Sequence, residues 1–389
     1  MLWGKFGHKS KSCIISQPER ADIIEIQNRI LESLSPWYLG PTDSNASLVF
    51  AQEKEYRWSR QLLFRIGGSG PHADHRILVK FLRLRDSAGR TQSVGRSDPD
   101  AHKLEYEALG RLHKYLKYRE YEGITAVRPL TYFPDLQVLV MEYRPGQNFL
   151  SLILAAVRPW ATQKLKTAVS DAVYKGGKLL GAIHQIEHQS YPHTEAFDCN
   201  QYRRMLQHRI DNLLRVVSDS SINEKLLAVQ SKVNNILANL QQTVVLNYLH
   251  GDLYPENLIE LPNGCVLTVD TRLQQVGPTE DDIAKFMIGV ETLKHSVLGG
   301  KILVHQDTVK TMEQSFLAGY RTEAKYSYRI LLLSKLAAFI KRWSEMLSVL
   351  EIKVPSSISS AFQKTRVTPF MLACLDRIHG DINKQFDSS

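Results

Sequence analysis

The chain has 389 residues, 43% of them hydrophobic and 23% charged, a balance that excludes a disordered or fibrous protein and leaves room for more than one core. Its formal charge is +9. The basic residues are spread along the chain, with only small clusters at 5–11, 57–65 and 203–209 and no interleaved aromatic stacking motif, so no specific nucleic-acid partner is implied. Cys13, Cys199, Cys265 and Cys374 form no C-x-x-C pair, which argues against a zinc site or a disulfide framework. The most apolar stretch, 329–343, is interrupted by Lys335, so no transmembrane segment is expected. With only a short apolar run near its start and no secretory h-region, the chain is expected to be cytoplasmic.

In chain order, residues 1–46 read as an N-terminal extension, partly helical. Residues 47–143 read as a small antiparallel sheet with one helix. "RQLLFRI" and "HRILVKFLRL" flank "GGSGPHAD", which has the residues of a hairpin connection. A polar loop follows, and Asp98 and Pro99 supply an N-cap and a first-turn proline for a helix to about Tyr118. "LQVLVMEY" is a compact strand and "RPGQN" a turn or linker.

Residues 144–389 change character. Ile222, Leu226, Val229, Val233, Ile236 and Leu240 recur at intervals of three and four, one face of an amphipathic helix, and similar patterns occupy 165–186 and 315–350. Within this helical part lies one strand-like island, "TVVLNYLHGDLYPENLIELPNGCVLTVDTR". Its two apolar runs, 258–261 and 265–269, are joined by "PNG", a hairpin signal. The predicted class is α+β, with two lobes.

A hairpin there brings Asp252, Asn257 and Asp270 together, because the first strand begins and the second ends at the same edge. Hard oxygen donors of this kind suit magnesium, which takes one or two carboxylates and fills its remaining positions with water and phosphate oxygens. Asn257 and Asp270 can serve as metal ligands, which leaves Asp252 to orient an attacking hydroxyl and accept its proton.

H-G-D, an Asn five residues after the Asp, a hairpin and a second Asp resemble the catalytic segment of the aminoglycoside phosphotransferase and choline kinase family, whose fold is related to that of protein kinases. Asp282, Ile283 and Ala284 match the family's D-[LI]-A, whose aspartate supports the catalytic loop. "GKLLGAIHQI" resembles its G-x-x-L-A-x-L-H helix and makes His184 a packing residue near that loop. The resemblance spans about 47–290 with motif order kept.

It implies a protein-kinase-like fold with Mg2+ and ATP held between the lobes. Lys80, on a strand face with Leu78 and Leu82, would neutralise nucleotide phosphates. Its carboxylate partner would be Glu105, at the edge of a helix's apolar face, in preference to Glu107, which is placed to pair with Lys103 and Arg111. The backbone of Met141, Glu142 and Tyr143 would meet adenine.

The chain departs from the family in two places. No G-x-G-x-x-G precedes Lys80, so the phosphate-covering loop is placed within 51–59, with Ser59 as its hydroxyl contact. Thr271 and Arg272 stand where the family commonly has an aromatic residue. The acidic residues 280–282 read as a solvated or a helix-starting run, and only Asp282 has a motif reason to face inward. The terminal "HGDINKQFDSS" has Phe386 where an asparagine would be needed. It reads as a helix end, with Gly380 as the C-cap. The activity implied is transfer of the γ-phosphoryl group of ATP to a hydroxyl of a small molecule: a sugar, an amino alcohol or an aminoglycoside-like compound. A nucleotide-binding pseudokinase or scaffold is the alternative.

Overall fold

The computed structural model describes residues 17–34, 47–55, 59–67, 75–82, 101–187, 190–217, 219–271, 273, 275–293, 305–353 and 363–387. Chain contacts divide it into two compact units. The first comprises 1–103 and 129–143, and the second 104–128 and 144–389.

The first unit is a five-stranded antiparallel sheet. Its strands are β1 (Ser47–Glu55), β2 (Ser59–Gly67), β3 (Arg76–Leu82), β4 (Pro129–Phe133) and β5 (Val138–Glu142), in the order β1-β2-β3-β5-β4. Period-two alternation sends Leu62, Phe64 and Ile66 of β2, Ile77 and Val79 of β3, and Val138 and Val140 of β5 into one core. Helix α1 (Gln17–Leu34) covers that face with Ile23, Ile26, Ile30 and Leu34, spaced as one helical stripe. Arg29 of α1 donates to both carboxylate oxygens of Asp135, at 2.5 and 2.9 Å, and lies over the Phe133 ring. The opposite parity of β3 and β5 carries Leu78, Lys80, Leu139 and Met141, and register places Lys80 between Gln61 and Leu139.

Helix α2 (Ala101–Tyr118) begins where a helix was expected, but its expected cap, Asp98 and Pro99, lies outside the described residues. From Leu104 onward it is grouped with the second unit, whose core takes in Ala108, Leu112 and Leu116.

The second unit is mostly helical. A two-residue strand, β6 (Gln147–Asn148), leads into α3 (Phe149–Ala156), which Asn148 caps by accepting from the Ser151 N–H at 2.9 Å. Then come α4 (Gln163–Ile183), β7 (His193–Ala196), α5 (Cys199–Val216) and α6 (Ser220–Asn239). In α6 the buried stripe is Ile222, Leu226, Val229, Val233 and Leu237. Leu237 takes the place expected of Ile236, which is only partly buried.

Strand β8 (Thr243–Leu249) lies between β7 and β11 (Gln275–Pro278). The predicted hairpin is present as β9 (Leu258–Glu260) and β10 (Val266–Thr268), with β6 pairing on the far side of β9. Helices α7 (Glu280–Glu291), α8 (Gln306–Arg321), α9 (Tyr328–Lys353) and α10 (Thr368–Asp387) complete the unit. The pattern over 315–350 is thus two helices, broken at 322–327. No described helix is long and apolar enough to cross a membrane. The α+β class, the antiparallel first sheet and the helical second unit are as the sequence predicts.

The terminal H-G-D corrects one expectation. Gly380 does not cap a helix, because α10 runs through it to Asp387. Ile378 and Ile382 on either side are buried in the core, and their packing carries the helix past the glycine despite its propensity cost of roughly 1 kcal/mol.

Helices α4 and α8 touch backbone to backbone. A Cβ at Gly177 would stand 1.9 Å from the Phe316 carbonyl oxygen, and one at Gly319 would stand 1.9 Å from that of Tyr174. Gly177→Ala must push the helices apart and is expected to cost about 1–3 kcal/mol or more. The check is a lowered urea midpoint with an unchanged slope.

Candidate active site

The site grows out of the end of β8. After Leu249 the chain must turn sharply, and Gly251 does so at φ +86, a conformation that costs glycine little. His250, Leu253, Tyr254, Pro255 and Asn257 are buried, whereas Asp252 is exposed at the tip.

The turn is held from beneath by Asp282, in the first turn of α7. One carboxylate oxygen accepts the His250 N–H at 2.6 Å, and the other accepts the Gly251 N–H at 3.0 Å. Lys285, one helical turn on, donates to the Gly251 carbonyl at 2.8 Å and lies 3.4 Å from Asp282. His184 reaches the same carboxylate with Nε2 at 3.3 Å, while its Nδ1 meets the Tyr320 hydroxyl at 3.0 Å. Burial alone would raise the Asp282 pKa. Lys285, the His184 hydrogen bond and the neighbouring imidazoles override it and hold the carboxyl well below the usual carboxylate range. His184 is therefore a positioning group for the clamp as well as a packing residue.

A second set of bonds fixes the far side of the loop. Asn257 donates from Nδ2 to the Asp252 carbonyl at 2.7 Å and to its carboxylate at 3.2 Å. The Tyr254 N–H donates to the same carbonyl at 2.9 Å. The Asn257 carbonyl accepts from the Val269 N–H and the Thr268 hydroxyl, both at 3.0 Å, and Asp270 follows immediately in a left-handed conformation, φ 58. His250 completes the inner layer with Nε2 at 2.7 Å from Thr268 Oγ1. Its pKa is lowered, chiefly by burial.

The hairpin thus brings Asp252 and Asn257 into contact and sets Asp270 at the exit of β10. Among the described residues no three His, Cys, Asp or Glu side chains gather as a metal site. The donor set suits a hard cation of another kind. With its nitrogen committed to Asp252, the Asn257 carboxamide has its oxygen left to offer, and Asp270 supplies a carboxylate at the exit of the same hairpin. Thr271, where the family commonly has an aromatic residue, is fully buried with no partner for its hydroxyl. Arg272 lies outside the described residues.

The remaining candidates fall on both units. Lys80 is buried on β3, in the first unit. Glu105 is buried and Glu107 exposed, both in the second. Met141 pairs with Leu78, and Glu142 with Ile77. The Tyr143 N–H already donates to the Arg76 carbonyl at 2.9 Å, so that amide is taken. Ser59 opens β2 opposite Leu82, and its side chain lies outside the described residues.

The acidic run starts α7, as one of its two expected readings has it, but it is not solvated. Glu280 is buried and accepts the Ser327 N–H at 2.6 Å, and Asp281 accepts the Ser334 hydroxyl at 2.6 Å. The first turn of α7 packs against the start of α9, so both carboxylates face protein. Burial pushes the Glu280 pKa up to about 7. A carboxyl whose folded pKa is raised contributes stability below its unfolded value and loses it as pH rises through the folded one. Between pH 5 and 8 the wild-type melting temperature is therefore expected to fall more than that of Glu280→Gln, and parallel profiles would refute this.

Sequence reasoning missed a buried charge network. Lys335 of α9 meets Glu291 at 3.1 Å and Glu313 at 3.5 Å, and Arg377 of α10 also holds Glu291. Its members come from four helices, so no local spacing announces it.

The order of motifs seen in the sequence is kept in this geometry, with Asp282 supporting the loop. The chain resembles the aminoglycoside phosphotransferase and choline kinase family. No family model matches the chain, and no curated protein matches it. Solved structures similar to it include a glucosamine kinase in complex with glucosamine, ADP and inorganic phosphate. That likeness is 15% identical, covers 79% of this chain and 94% of the other, and has a TM-score of 0.48. Choline kinase LicA from Streptococcus pneumoniae is 13% identical, with 90% and 99% covered and a TM-score of 0.46. Amicoumacin kinase hAmiN in complex with AMP-PNP, Ca2+ and Ami is 13% identical, with 95% and 96% covered and a TM-score of 0.49. All three are kinases.

Proposed function

We propose that the protein is a phosphotransferase that moves the γ-phosphoryl group of ATP to a hydroxyl of a small molecule. The observation that carries this reading is the placement of Asp252. It is an exposed carboxylate at the tip of a turn whose backbone is bonded by Asp282 on one side and by Asn257 on the other. A group held so firmly and yet open to solvent suits a proton acceptor that must keep its aim.

In this mechanism Asp252 orients the acceptor hydroxyl and takes its proton as the oxygen bonds to phosphorus and the bond to ADP breaks. Bound ATP supplies the phosphoryl group, with Mg2+ to neutralise charge on its phosphates. Asn257 and Asp270 would hold the cation through their oxygens. Lys80, with Glu105 as its carboxylate partner, and Ser59 are assigned to the phosphates, and the backbone of Met141, Glu142 and Tyr143 to adenine. Because the Tyr143 amide is taken, the contact would fall to the other backbone groups of that segment.

The test is incubation with Mg-ATP and a cytosolic metabolite extract, read by mass spectrometry for small molecules that gain one phosphoryl group, beside Asp252→Asn. A product absent from the variant is expected. Nucleotide-dependent thermal stabilisation with no product from any extract would favour a nucleotide-binding pseudokinase, a reading to which the substitution at Thr271 lends some support.

A further inference from the structure

Two residues beyond Asp252, the Tyr254 ring lies buried beneath a cation from another helix. Arg342 of α9 sits with its guanidinium carbon 5.1 Å from the ring centroid, within the range of a cation–π contact. Tyr254 is tied directly to the loop tip, since its N–H donates to the Asp252 carbonyl at 2.9 Å. Burial first, and then the charges of Glu345, Asp252 and Glu256, raise the phenol's pKa, whereas Arg342 opposes them. Tyr254 thus links Arg342 to the backbone of the loop tip.

The guanidinium is positioned but not satisfied. Its Nε is buried with no hydrogen-bond partner. Its nearest carboxylate, Glu345, lies at 4.0 Å and is shared with Lys341 at 3.7 Å. Lys341 and Arg342 thus share one loosely placed carboxylate, and neither holds it at close hydrogen-bond distance. An arginine has five donors in a planar fork that matches a carboxylate or a phosphate, and here the contact with the Tyr254 ring holds the guanidinium close to the loop.

We propose that the acceptor carries, besides its hydroxyl, a carboxylate or phosphate group, and that Arg342 binds it. The inference rests on the phosphotransfer reading and narrows its substrate class to hydroxy acids and sugar phosphates, away from amino alcohols and polycationic antibiotics. Arg342 is then a specificity residue that sets where the acceptor lies relative to Asp252.

The test supplies Mg-ATP with four sets of acceptors in parallel: hydroxy acids, sugar phosphates, neutral sugars and amino alcohols. Product is identified by mass spectrometry and rates are followed by ADP release. Transfer is expected in one or both acidic sets, and which of them responds separates carboxylate from phosphate recognition. Arg342→Gln is expected to raise KM for that acceptor about 10- to 100-fold, the worth of a charged hydrogen bond, with kcat and the KM for ATP little changed. Arg342→Lys recovers part of the loss. Glu345→Gln, which removes the competing carboxylate, lowers KM. Transfer confined to neutral or cationic acceptors, or an Arg342→Gln enzyme with wild-type KM, overturns the inference and leaves the phosphotransfer reading standing. No transfer to any set or to a metabolite extract overturns both.

Discussion

On the phosphotransfer reading, Asp252→Asn is expected to lower the rate of phosphoryl transfer by about 10²- to 10⁴-fold, the usual worth of a positioned general base. Its melting temperature stays close to that of the wild type. The side chain is exposed, and the loop's main bonds run to the backbone: His250 N–H and Gly251 N–H to Asp282, and Asn257 to the Asp252 carbonyl. The substitution therefore removes the proton acceptor and leaves the turn in place. Steady-state rates at saturating ATP, beside a thermal melt, separate the two effects. A variant that keeps most of its activity would remove Asp252 from its assigned role.

Asp282→Ala acts on stability and activity together. The change leaves two backbone donors, one fully and one partly buried, together with the Lys285 ammonium and His184, without their shared acceptor. Breaking a buried charge pair from one side costs about 3–5 kcal/mol. Chemical denaturation is expected to show a loss of that order, and activity falls as well because nothing then aims the loop. Asp282→Asn keeps the shape but loses the charge, and is expected to fall between the two.

The pH dependence has a definite sign. The Asp282 pKa is held below its ordinary 3.8, so its contribution is present above that value and is lost as pH falls through the folded one. His250 works in the same direction from a higher starting point. Its folded pKa lies below 6.5, so acid protonates the unfolded state first and favours it. The stability gap between wild type and Asp282→Asn should narrow below about pH 4, and a constant gap would refute the assignment.

The loop proposed as catalytic was legible because its signals are local. H-G-D, Asn257, the PNG turn and Asp270 lie within 21 residues of one another, and period-two alternation on either side of the turn fixes the hairpin. Periodicity also disclosed α6 and the burial of Glu105 over Glu107. What the sequence hid depends on partners distant in the chain. Glu280 and Asp281 look like a solvated or a helix-starting run until α9 packs over them. Gly380 carries the local signature of a helix end, and only the core contacts of Ile378 and Ile382 carry α10 past it. The Arg342 contact with Tyr254 spans 88 residues, and no motif marks it.

The bonds from Asp282 reach only main-chain groups of the loop. Any residue at 253–256 that fits its own surroundings can therefore be exchanged without moving the aspartate at the tip. On the phosphotransfer reading, such an arrangement separates inheritance of the reaction from inheritance of the substrate. A lineage could drift through many acceptors, or an engineer graft a new one, by rewriting these few side chains and the helix opposite them while the chemistry stays where it is.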